Sequence, residues 1–69
     1  MDKYVVIYSP VPVYEGGFAV GSSIGNKIDI EYAIKNEVLD IGLRIKNGKK
    51  KYEVCRRKRS KKMYLKKLN

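Results

Sequence analysis

Residues 27–45 read KIDIEYAIKNEVLDIGLRI, and the fold turns on how this stretch is read. As a helix, it places Ile30, Ile34, Val38, Ile41 and Ile45 near one face. Leu39 and Leu43 then lie off that face, and Gly42 weakens the interior. As strands, Ile28, Ile30, Tyr32 and Ile34 alternate with Asp29, Glu31, Ala33 and Lys35. Leu39, Ile41, Leu43 and Ile45 then alternate with Val38, Asp40, Gly42 and Arg44. A two-residue turn at Asn36-Glu37 pairs Ile34 with Leu39, Tyr32 with Ile41, Ile30 with Leu43 and Ile28 with Ile45. Every pair is apolar with apolar, on one face, and a one-residue slip destroys the match. This consistency favours strands. The turn is the weak point, because Glu resists the positive φ that a type I′ turn requires. The helical alternative for 29–46, with 49–57 in a wing, corresponds to a winged-helix arrangement.

Outward from this stretch the hairpin signals strengthen. Asn47-Gly48 separates Arg44-Ile45-Lys46 from the run Lys49 to Val54 and is the strongest short turn signal in the chain. Tyr52 and Val54 continue the apolar face, while Lys51, Glu53 and Cys55 point the other way. Lys3 to Tyr8 is β-prone. Val11 to Tyr14 and Phe18 to Val20 are candidate short extended pieces, and Pro10 and Pro12 favour extended chain around Val11. Gly16-Gly17 and the run Gly21 to Asn26 read as turns or a loop. At the far end, Ser60 is placed to cap a helical turn that packs Tyr64, Leu65 and Leu68 over the core. Equally, Met63 and Leu65 fit a last short strand. About five strands in so short a chain make a small, strongly bent sheet closing on itself. The expected fold is all-β, with residues 1–55 as its core. Residues 56–69 are a basic extension packing on or projecting from it.

The order of these pieces resembles the bacterial SH3-like family of small barrels. In that pattern Val11 to Tyr14 opens, and the Gly-polar turn Gly21 to Asn26 follows. Lys27 to Lys35, Val38 to Lys46, the Asn47-Gly48 turn and Lys51 to Val54 complete it. The resemblance covers about residues 11–55 and implies a five-stranded SH3-like barrel. Leu39 to Leu43 contains no Trp or Tyr, so the family's aromatic pair is missing, and a cell-wall-binding role is not what the resemblance implies here. Small Lys-rich archaeal chromatin proteins with SH3-like barrels are similar at the level of fold.

Charge separates the chain into two parts. Its 69 residues carry 16 Lys and Arg against 7 Asp and Glu, a net charge of +9. Residues 1–45 hold Lys3, Lys27, Lys35 and Arg44 against Asp2, Glu15, Asp29, Glu31, Glu37 and Asp40, a net −2. Residues 46–69 hold the other twelve cations and only Glu53, a net +11. Such a density of like charge destabilises a compact state, and a polyanion relieves it. The expected function is therefore non-catalytic binding of DNA or RNA through the phosphate backbone. The candidate binding residues are Lys46, Lys49, Lys50, Lys51, Arg56, Arg57, Lys58, Arg59, Lys61, Lys62 and Tyr64. The three arginines suit bidentate phosphate or guanine contacts, and Tyr64, set among lysines, suits base stacking. The alternative is a small phage- or virus-encoded module that inhibits a host nucleic-acid enzyme or defence factor by meeting an acidic protein surface.

Inventory removes other classes. The chain has no His and one Cys, so imidazole-based nucleophiles, imidazole metal sites and an internal disulfide are absent. No catalytic residue, metal ligand set or cofactor is expected, and no enzyme. Asp29, Glu31 and Asp40 read as a solvated face rather than a metal cage. Cys55 reads as an incidental small residue, although the neighbouring Arg56 would lower a thiol pKa. No apolar run approaches the ~18 residues of a membrane span, so no membrane partner is expected. Met1-Asp2-Lys3 leads into too few apolar residues for a signal peptide. The expected location is intracellular, cytoplasmic or in the host cell of a virus.

Overall fold

The computed structural model describes residues 3–69. Five strands, Tyr4–Tyr8 (β1), Ser23–Gly25 (β2), Arg44–Asn47 (β3), Lys50–Arg56 (β4) and Met63–Lys67 (β5), form one antiparallel sheet in the order β2-β1-β3-β4-β5. One helix, Lys27–Lys35 (α1), follows β2, and a 3₁₀ turn spans Val13–Glu15. The all-β expectation holds in its coarser form: the chain is mostly sheet, with one helix added. The sheet is open, with β2 and β5 as its edges, and α1 touches both of them. The core lies between α1 and one face of the sheet. Tyr4, Val6, Leu43, Ile45, Val54 and Met63 meet Ile30 of α1 and Leu39 of the following loop.

The strand reading of 28–35 is overturned, since this segment is the helix. Its start is written in Asn26 and Asp29. Asn26 Oδ1 accepts a hydrogen bond from the Asp29 N–H at 3.0 Å, and Asp29 Oδ2 accepts one from the Asn26 N–H at 3.0 Å. This reciprocal capping box satisfies backbone donors that have no partner inside the helix. The end is a Schellman motif. The Val38 N–H donates to the Ala33 carbonyl at 3.0 Å, and the Glu37 N–H to the Ile34 carbonyl at 3.2 Å. Glu37 holds the left-handed position, φ 54°, which glycine usually fills. The objection to Glu at positive φ was sound in general, but here the residue ends a helix instead of turning a hairpin. Its carboxylate is held by Arg56 at 2.6 Å.

The apolar alternation that suggested a strand has a second meaning on a helix. Successive helical residues turn by ~100°, so a period of two over eight residues makes two stripes on nearly opposite sides. Ile30 and Ile34 form the stripe that faces the sheet. Ile28 and Tyr32 form the other and are exposed, at 74% and 68%. The second half of the proposed hairpin is a loop. Leu39 and Leu43 are buried as expected, but Gly42 takes φ 97° and interrupts the extension, leaving Ile41 turned outward. Of Val38 to Lys46, only Arg44 onward is strand.

The β3–β4 hairpin forms as expected, with Ile45 opposite Tyr52. Its two central residues are Gly48 and Lys49, one position later than Asn47-Gly48, because Asn47 pairs with Lys50. Gly48 supplies the positive φ, 64°, at the first central position. The C-terminal helical turn does not occur. Met63 to Lys67 is the alternative last strand, paired with β4 over its whole length. The basic segment after residue 55 thus supplies the end of β4 and all of β5. The candidate extended pieces at 11–14 and 18–20 are not strands, and the 3₁₀ turn occupies part of the first. Gly17 is required where it stands, because a Cβ there would lie 1.8 Å from the Val11 carbonyl oxygen.

One substitution separates the helical placement from a strand, and a second reports on the core. Ile28→Asp should change stability by no more than about 0.5 kcal/mol, as an exposed site does. Leu43→Asp should unfold the chain, because it sets an unpaired charge in a fully buried position. Urea denaturation followed by circular dichroism reads both. Asn26→Ala should lower the midpoint by the equivalent of about 1 kcal/mol through loss of the cap.

Candidate nucleic-acid interface

With α1 covering one face, the opposite face of the sheet is left to solvent. Period-two alternation sends Arg44 and Lys46 of β3, Lys51, Glu53 and Cys55 of β4, and Tyr64 and Lys66 of β5 to this outer face. β1 adds Tyr8 through a local irregularity. Val6 pairs with Ile45 on the core face, yet the next pair is Tyr8 with Arg44, so Ile7 is the extra residue of a β-bulge. The bulge turns Tyr8 outward, away from the face of Tyr4, with which it would otherwise alternate in step.

The outer face is organised in transverse rows. Tyr8, Arg44, Glu53 and Lys66 stand opposite one another on β1, β3, β4 and β5. The Arg44 guanidinium lies 5.5 Å from the centre of the Tyr8 ring and its Nε lies 3.5 Å from Glu53 Oε2. In the next row Val5, Lys46 and Lys51 are partners. Lys46 and Lys51 are like charges directly opposed, an arrangement that costs stability. On the other side, Cys55 faces Tyr64, and the Arg57 guanidinium lies 4.4 Å from the centre of the Tyr64 ring. Tyr8, exposed, and Tyr64, half-buried, therefore each carry an arginine over the ring, within the range of a cation–π contact. Glu53 is the acid of this face, set between Arg44 and Lys66.

The sequence-derived candidates fall into two groups at opposite ends of β4. Lys46, Lys49, Lys50 and Lys51 gather at the Gly48-Lys49 turn. The Asn69 side chain clasps this turn, donating to the Lys49 carbonyl at 2.7 Å and accepting from the Lys51 N–H at 3.0 Å. Arg57, Lys58, Arg59, Lys61 and Lys62 form the β4–β5 loop. The Lys61 N–H donates to the Arg57 carbonyl at 3.1 Å, and the Arg57 N–H to the Lys62 carbonyl at 2.9 Å. Five residues of β4, Tyr52 to Arg56, separate Lys51 from Arg57, about 20 Å over six steps at ~3.3 Å each. Lys51, Lys66 and the two tyrosines lie on the face between and beside them.

Arg56 differs from its neighbours. Its Nη1 donates to Glu37 Oε1 at 2.6 Å and to the Lys61 carbonyl at 2.6 Å. The side chain thereby ties the end of α1 to the β4–β5 loop, in which Lys61 holds φ 62°. Its role is positional. Sequence reading missed Tyr8, Arg44 and Lys66. The alternation of Met63 and Leu65 with Tyr64 and Lys66 was a usable signal for Lys66. Tyr8 left none, because the bulge that turns it is set by pairing with β3.

Cys55 departs from the reactive alternative. Partial burial pushes its thiol pKa up, and the Glu53 carboxylate, an acceptor for the thiol at 3.7 Å, raises it further; Lys66 and a hydrogen bond involving Tyr64 act in the opposite sense. No group of three or more His, Cys, Asp or Glu side chains is placed to hold a metal among the described residues, and no helix among them is long and apolar enough to cross a membrane. No protein-family model, curated protein or solved structure matches the chain.

The thiol gives a direct check of this geometry. A raised pKa keeps Cys55 protonated at neutral pH, so iodoacetamide at pH 7.5 should modify it more slowly than an unstructured cysteine peptide. Glu53→Gln should speed the reaction by removing the nearest anion. The contribution of the neutral thiol to folding is complete below the ordinary thiol pKa and is lost as pH climbs through the raised value.

Proposed function

We propose that this protein is a non-catalytic nucleic-acid-binding protein that uses the outer face of its sheet and the two basic loops flanking it. The observation that carries the reading is the outer face itself: opposed lysines and two arginine-capped tyrosines on a surface that no other element covers. Opposed like charges such as Lys46 and Lys51 are unfavourable in the free protein and become favourable when phosphates lie between them. Tyr8 and Tyr64 offer ring faces on which a base can stack, and stacking is tolerant of sequence. The ~20 Å between the two loops corresponds to about six base-pair steps at 3.4 Å each. Lys and Arg at these positions address phosphates, so affinity exceeds discrimination between sequences. In this reading the bent sheet works as a small SH3-like barrel, with α1 seated between the edge strands in place of a closing pair.

A salt series tests the proposal. Lys51→Gln, Arg57→Gln and Lys66→Gln combined should flatten the slope of log affinity against log salt by about 2 to 3 units for duplex DNA, from ~0.9 per phosphate. Lys3→Gln, Lys27→Gln and Lys35→Gln combined carry the same charge change and should leave the slope nearly unaltered. Fluorescence anisotropy with one duplex, one single strand and one RNA reads the difference. Equal losses in the two triple variants, or no binding at low salt by the folded protein, would overturn the proposal.

A further inference from the structure

The β5 edge is a second interaction surface. β5 is paired on one side only, by β4. The Leu68 N–H donates to the Lys51 carbonyl, and the Lys62 carbonyl accepts from the Arg57 N–H. In an antiparallel ladder alternate residues turn both backbone groups the same way, so Lys62, Tyr64, Lys66 and Leu68 face β4. The N–H and C=O groups of Met63, Leu65 and Lys67 therefore point away from the sheet. Beside this edge lies a groove of about 310 Å³ between β5 and α1, floored by Ile30, Ile34, Met63 and Leu65 and bordered by Glu31 and Lys35. A second hollow, of about 230 Å³, extends it past Ile34 and Met63 to Glu37 and Lys62. A row of outward backbone groups next to an apolar groove is the arrangement to which an extended segment adds as a further strand.

We propose that this edge binds an extended protein segment in which apolar and acidic residues alternate. The alternation follows from the sheet. In a sixth strand beside β5, one set of side chains falls on the core side, over Ile34 and Leu65, and must be apolar. The other set falls on the outer side, next to Tyr64 and Lys66. Charge complementarity selects acids there. Lys66 stands on that side and Lys62 at the end of β5, while Lys35 and Lys67, on the core side, add positive field along the edge. Of the three acids in reach, Glu31, Glu37 and Glu53, Glu37 is already paired with Arg56 at 2.6 Å and Glu53 with Arg44 at 3.5 Å. The same lysines disfavour a second copy of this chain, because lysines on an edge strand hinder self-pairing in a protein of net charge +9. This surface is an edge and a groove that shares Tyr64 and Lys66 with the outer face proposed to bind nucleic acid, and the edge amides of Met63, Leu65 and Lys67 tell the two apart.

The test uses the full chain and an eight-residue peptide alternating Val and Glu. Three further peptides serve for comparison: one alternating Val and Lys, one with the Val-Glu composition scrambled, and one N-methylated at every second amide. The Val-Glu peptide should bind and slow hydrogen exchange at the amides of Met63, Leu65 and Lys67. N-methylation on the edge-facing amides should weaken binding at least tenfold, although it leaves every side chain and charge in place. Lys66→Glu with Lys67→Glu should weaken the Val-Glu peptide and favour the Val-Lys peptide, and this exchange of preference also shows that the variant is folded. Binding by scrambled or N-methylated peptide equal to that of the parent would overturn the proposal, since charge alone would then suffice. So would protection of the three edge amides in the free protein that grows with concentration, which would assign the edge to a second copy. Failure of the peptide to bind while an oligonucleotide protects those same amides would overturn it too.

Discussion

Everything else in the structure depends on the seating of α1 over one face of the sheet. A five-stranded sheet of this size needs a second layer to bury its apolar side chains. The chain supplies a nine-residue helix and the loop that follows it. Ile30, 2% exposed, is the one helical residue fully enclosed, and it meets Tyr4, Val6, Ile45, Val54 and Met63 in a single cluster with Leu39 and Leu43. The helix is too short to be stable alone. It is held by the Asn26–Asp29 box at one end and, at the other, by Glu37, whose carboxylate meets Arg56 at the end of β4. Because this layer covers the sheet on one side and touches both of its edge strands, the other side is free of packing demands.

That freedom decides where the charge goes. The cations of residues 46–69 lie on three consecutive strands and the two turns that join them, and alternation within the strands divides inward from outward positions. Ile45, Val54, Met63 and Leu65 turn to the core. Lys46, Lys51, Tyr64 and Lys66 turn to solvent, with lysines opposed across β3 and β4. Two acids of the first part of the chain place the helix. Asp29 caps it, and Glu37 anchors its end. The result is a molecule with an acidic, structurally committed layer and a basic, structurally uncommitted one. Nucleic-acid binding is proposed for the uncommitted face, and the open β5 edge lies where the two layers meet.

The distinction between committed and free cations is clearest at Arg56 and Arg57. They are adjacent in sequence and identical in chemistry, and both stood equally among the candidates for phosphate contact. Arg56 points toward α1 and holds both Glu37 and the Lys61 carbonyl. Arg57 points the opposite way and lies over Tyr64. Strand alternation at the end of β4 makes the difference. The sequence reads these cations as a hairpin at 46–54 followed by a tail at 56–67, whereas the tail folds back as the β4–β5 loop and β5, which sets the two charged loops about 20 Å apart at ~3.3 Å per strand residue.

The sequence by itself determined the β3–β4 hairpin, the inward positions of Ile45 and Val54, and the concentration of positive charge after residue 45. Each of these rests on interactions between near neighbours: a Gly at positive φ, a period of two, a count of charges. Residues 28–34 were different, because their apolar alternation satisfies a strand once and a helix twice. The local signal that separates the two, Asn26 with Asp29, is a weak one beside four apolar cross-strand pairs. Tertiary structure decided between them. Gly42 at positive φ breaks the second strand, and the sheet built by β1, β3, β4 and β5 needs a covering layer more than it needs another strand. The same packing fixed the bulge that turns Tyr8 outward and the pairing that made residues 63–67 an edge strand. Both depend on partners distant in the chain: no nearby residue encodes the bulge, and the alternation of residues 63–66 fits a strand without saying which strand it joins.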